Sequence, residues 1–134
     1  MTGYTKIGPT IALLAWSSLD ERLREAEAIV SDSAASSVRL QQAEEELRLA
    51  ACQLASIAAK RKLGRETSPH NMNKGNVRAI LVAAGTTEAA VDRIQAMFIN
   101  ADDSHHAPKN YQPNVQRIRQ GIAAIRDVKA ALVI

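Results

Sequence analysis

The chain is 134 residues long with a net charge of +3, which fits one domain able to bury a core without metals or disulfides. Hydrophobic residues make up 46%, which excludes wholesale disorder, and a charge this mild permits a nucleic-acid partner without demanding one. Twenty-four alanines against four aromatic residues (Tyr4, Trp16, Phe98 and Tyr111) favour closely packed helices over sheets.

Residues 1–9 read as an extended arm because Gly3, Gly8 and Pro9 discourage regular structure. The apolar run that follows, IALLAW, is shorter than the core of a secretory signal and is preceded by Gly8-Pro9, so a cytoplasmic location is expected. No apolar run is long enough to span a membrane. From there Ala12, Ala15/Trp16, Leu19, Leu23, Ala26 and Val30 recur in steps of three and four. That spacing predicts a helix over 10–31, with a capping box at Ser18–Glu21 marking a kink. The stretch SDSAASS (31–37) predicts a turn.

A second helix is expected over 36–63. Leu40, Ala43, Leu47, Ala50, Leu54 and Ile57 form a bundle-like seam, and Gln41, Glu44, Glu45, Arg48 and Gln53 form its outer face. Gly64 is a natural stop. Lys60, Arg61 and Lys62 fall in the last turn, where cations meet unpaired carbonyls and the negative end of the helix dipole. Cys52 sits among apolar positions, has no partner for an internal disulfide and reads as a buried thiol.

After a loop over 64–76, Asn76 caps an expected helix at 77–84, which Gly85 ends. Thr86 or Thr87 caps another at 87–100, with Ala90/Val91, Ile94 and Met97/Phe98 as its apolar stripe. Loop 101–112 follows. Pro113 then opens a last helix, 113–132, with Val115, Ile118, Ile122, Ile125 and Leu132 on one face. The fold expected is all-α: an antiparallel bundle of three long helices (10–31, 36–63, 113–132) plus a short helical hairpin (77–100).

Three constellations bear on function. The basic stretch KRKLGRETSPHNMNKGN (60–76) contains Arg65-x4-His70. This spacing resembles the R-x4–6-H motif of HEPN-type ribonucleases, which are compact helical bundles. The resemblance implies His70 as acid–base catalyst on a ribose hydroxyl and Arg65 as phosphate clamp. Glu66 and Pro69 depart from that pattern. Second, VRAILVAAGTTEAAVDRI (77–94) resembles a helix-turn-helix with Gly85 at its turn, although Leu81 stands where that motif keeps a small residue. Its second helix sets Glu88 and Asp92 against Arg93, a balance that favours a plain hairpin over a groove-binding helix. Third, His105-His106 beside Asp102 and Asp103 reads as a polar loop, because no further ligand stands a helical turn away. No metal or cofactor is expected.

Lys60, Arg61, Lys62, Arg65, Lys74, Arg78, Arg117, Arg119 and Arg126 would form one basic patch if the fold gathers them. The first expectation for function is a non-enzymatic helical protein that binds another protein or a second copy of itself. Leu40, Leu47 and Leu54, or Ile118, Ile122 and Ile125, would be its anchors where those faces are not all used in the core. The alternative is nucleic-acid binding through the basic loop and last helix, with ribonuclease activity through Arg65 and His70 as its extreme.

Overall fold

The computed structural model of the chain describes residues 19–67, 72–96 and 113–134. Five helical segments lie within these ranges: α1 (Leu19–Ser31), α2 (Ser37–Leu63), α3 (Lys74–Ala83), α4 (88–96) and α5 (Val115–Ala131). No strand occurs among the described residues. The chain is an all-α helical bundle. The part of the first predicted helix before Leu19, the arm 1–9, Ser18 of the predicted capping box, and the end of the hairpin with loop 101–112 lie outside the described residues.

Local signals explain the helix ends. Between α1 and α2 the Asp32 carboxylate accepts the Ala34 N–H at 2.9 Å, an Asx turn that reverses the chain. Ser36 then caps α2 by accepting the Arg39 N–H at 3.2 Å. At the far end Gly64 adopts φ 66°, and the Arg65 N–H reaches back to the Ala59 carbonyl at 2.9 Å. That left-handed residue and long back-bond close the helix where the glycine predicted it.

The hairpin starts three residues earlier than expected. Asn73, rather than Asn76, caps α3, and Asn76 completes a reciprocal capping box by accepting the Asn73 N–H. Gly85, at φ 109°, ends α3, and Thr87 caps α4 by accepting the Ala90 N–H at 3.3 Å. In α5 the cap is Asn114, whose side chain accepts the Arg117 N–H at 3.1 Å, so Pro113 stands just before the cap.

Interhelical contacts fix the directions. Arg22 of α1 reaches Glu46 and Gln53 of α2, whereas Glu25 pairs with Arg39. Lys129 pairs with Asp20, Arg126 with Glu27, and Arg119 donates to the Val30 carbonyl. In both sets one residue number rises as the other falls, so α1 is antiparallel to α2 and to α5. Helices α2 and α5 therefore run the same way.

Helix α2 packs against α1, α3 and α5. This corrects the one-sided reading of its sequence. Residues 50–59 are buried all round the helix. Glu44 and Gln53, expected on the outer face, are 2% and 3% exposed. Gln53 is accommodated because its amide oxygen accepts from Arg22 Nε at 3.1 Å. Six of the ten residues over 50–59 are alanine or cysteine, small enough for neighbouring helices to approach from several sides. Leu23, Ile29, Leu47, Leu54, Leu81, Ile94, Ile118 and Ile125 are the largest fully buried side chains, drawn from all five helices.

The core thus consumes most of the predicted docking anchors. Leu47, Leu54, Ile118, Ile122 and Ile125 are all buried, and Leu40 is partly so. Val115, predicted on the apolar face of α5, is instead exposed at 37%. The chain ends with Leu132 and Ile134 against the core and Val133 exposed at φ 56°.

Candidate functional site

Among the basic residues that the sequence suggested as one patch, two groups stand far apart along the bundle. Arg119 donates to the carbonyl of Val30, near the C-terminal end of α1 and therefore near the start of α2. Lys60 lies 23 residues beyond Ser37 on α2, a separation of about 35 Å along the helix. Arg117 sits two residues before Arg119, at the same end as the start of α2. Lys60, Arg61, Lys62 and Arg65 therefore lie at one end of α2, and Arg117 and Arg119 near the other.

Several of the basic side chains act between helices. Arg126 makes two nearly parallel bonds to Glu27, at 3.0 and 3.2 Å, joining α5 to α1. The bond to Arg126 and its positive charge lower the Glu27 pKa, and the same bond raises that of Arg126. Arg78 gathers Asp92 at 2.5 Å, Gln95 at 3.0 Å and Glu88 at 3.1 Å, all from α4. The bond to Asp92 is the main cause of the rise in its pKa. The two acids that argued against a groove-binding second helix are therefore paired with Arg78 across the hairpin.

At the C-terminal end of α2 the chain doubles back. Lys60 Nζ meets Glu66 at 2.8 Å, and the Ser56 hydroxyl donates to the Thr67 carbonyl at 3.0 Å. The Thr67 hydroxyl donates to Ser56 Oγ at 3.2 Å. This pins residues 66–67 along the helix they have just left, while Lys62 and Arg65 are exposed. His70, the other half of the Arg65-x4-His70 motif, lies outside the described residues, as do His105, His106, Asp102 and Asp103. The Lys74 side chain is likewise not described.

Cys52 faces the strand of chain that returns toward α3, with Sγ 3.9 Å from the Met72 carbonyl. Burial raises the thiol pKa to about 11. A thiol so held carries still less thiolate at neutral pH than a free cysteine, which weakens it as a nucleophile. Among the described residues, no group of three or more His, Cys, Asp or Glu is placed to hold a metal ion. None of the described helices is long and apolar enough to cross a membrane.

A cleft of about 260 Å³ opens between α1 and α2, lined by Glu25, Ile29, Arg39, Gln42, Glu45 and Glu46. Its carboxylates are engaged: Glu25 with Arg39, Glu46 with Arg22, and Glu45 with Arg48. The sequence could not have singled out this cleft, because its walls come from ordinary amphipathic positions on two helices.

The exposure of Val38 and Val115 was not expected from the sequence, which placed Val115 on the apolar face of the last helix. Val38 is 63% exposed in the first turn of α2, and Val115 opens α5. Because α2 and α5 run the same way, both lie at the end of the bundle that carries the α1–α2 turn. The chain matches no family model, no curated protein and no solved structure.

Proposed function

We propose that this chain is a small non-enzymatic helical protein that acts through protein–protein interaction, with a second copy of itself or another protein as partner. The observation that carries the reading is that four valines stay exposed among the described residues, Val38, Val82, Val115 and Val133, with Val38 and Val115 sharing the end of the bundle that carries the α1–α2 turn, while the other large apolar side chains are mostly enclosed. Water-exposed valines cost solvation that a partner's apolar surface would relieve. The fate of the arginines supports the same reading: Arg78 and Arg126 are engaged with carboxylates rather than presented together to a phosphate backbone. A cytoplasmic setting and a homodimer belong to this proposal.

Sedimentation equilibrium separates the two kinds of partner. A mass that doubles with concentration, and no longer does so in the Val38→Asp/Val115→Asp variant, assigns a second copy. A monomer at every concentration assigns a different protein. Nucleic-acid binding at near-physiological salt overturns the reading. That alternative rests on exposed Lys62 and Arg65 at the tip of α2, with ribonuclease chemistry through Arg65 and His70 as its extreme.

A further inference from the structure

We draw no further inference here: the strongest candidate, the cleft between α1 and α2 floored by Ile29, is an acidic cluster whose Glu25, Glu45 and Glu46 already hold Arg39, Arg48 and Arg22, and nothing in the structure points to a ligand for it.

Discussion

The Arg78 guanidinium on α3 donates to the Asp92 carboxylate on α4 at 2.5 Å. Gln95 and Glu88 complete the set, so one half-buried side chain spans nearly the whole described length of α4. Replacing it should open the hairpin before it affects the rest of the bundle. In Arg78→Ala, amide exchange over 74–96 should accelerate selectively, with α1 and α5 unchanged. Arg78→Lys should recover only part of the protection, because a lysine cannot fork to several acceptors at once. Unchanged exchange in the alanine variant would show that apolar packing of Val77, Leu81, Val91 and Ile94 holds the hairpin without the arginine.

Cys52 should resist thiol reagents. At pH 8 the folded protein should label far more slowly than the unfolded chain, at a rate set by opening of the α2 core. The pH dependence has a definite sign. The folded thiol pKa is raised from 9.0 to about 11, so above pH 9 the unfolded chain loses a proton that the folded chain keeps. Stability from this group is present below the unfolded value and falls as pH rises from 9 toward 11. Cys52→Ala should remove that contribution to the alkaline slope. Rapid labelling at pH 8 without unfolding would contradict the buried placement.

Two residues in the left-handed region should respond in opposite directions. At Gly64 a Cβ would meet nothing within 4 Å, so Gly64→Ala tests backbone conformation alone. It should cost about 1 kcal/mol, the penalty of a left-handed residue bearing a side chain. Val133 holds the same region with a β-branched side chain that is 83% exposed. Val133→Gly should therefore stabilise, by up to ~1 kcal/mol. Urea titration of both variants measures the pair, and the same sign for both would contradict the helix ends described.

Thr86 is buried in the α3–α4 turn, and its hydroxyl has no hydrogen-bond partner among the described residues. Its N–H is satisfied by the Leu81 carbonyl at 3.1 Å, so only the side-chain oxygen is unmatched. Thr86→Val keeps the shape and removes the stranded group. It should raise stability by about 1 kcal/mol, within the usual desolvation penalty of an unpaired hydroxyl. A loss of stability in denaturant titration would show that the hydroxyl finds a partner.

Much of the fold was legible because helix ends are written locally. Gly64 and Gly85 stop helices through their own backbone freedom, and the turn at 32–36 follows from its short polar side chains. The surroundings of α2 were not legible. A stripe of Leu40, Leu47 and Leu54 reports helical period, but not how many neighbours the helix has, so Glu44 and Gln53 looked exposed and are buried. The start of α3 was placed three residues late because Asn76 was read as the cap by itself, whereas the structure uses it as the reciprocal partner of Asn73.

The candidate site was less legible for a related reason. Arg126 and Glu27 are 99 residues apart, and no local pattern announces that they meet. A count of cations therefore overstates the basic surface, since it cannot subtract those whose partners lie on distant helices. Lys62 and Arg65 remain exposed because their helix end and the returning chain present them to solvent.

The most direct test of the functional reading is fluorescence anisotropy of labelled single-stranded RNA and duplex DNA titrated with purified protein, at low and near-physiological salt. Arginines paired between helices, and basic groups separated along α2, predict no binding at near-physiological salt, with at most weak association at low salt. Salt-steep binding that persists at near-physiological salt, and is lost in Lys62→Ala/Arg65→Ala, would contradict the account and make the tip of α2 a nucleic-acid contact.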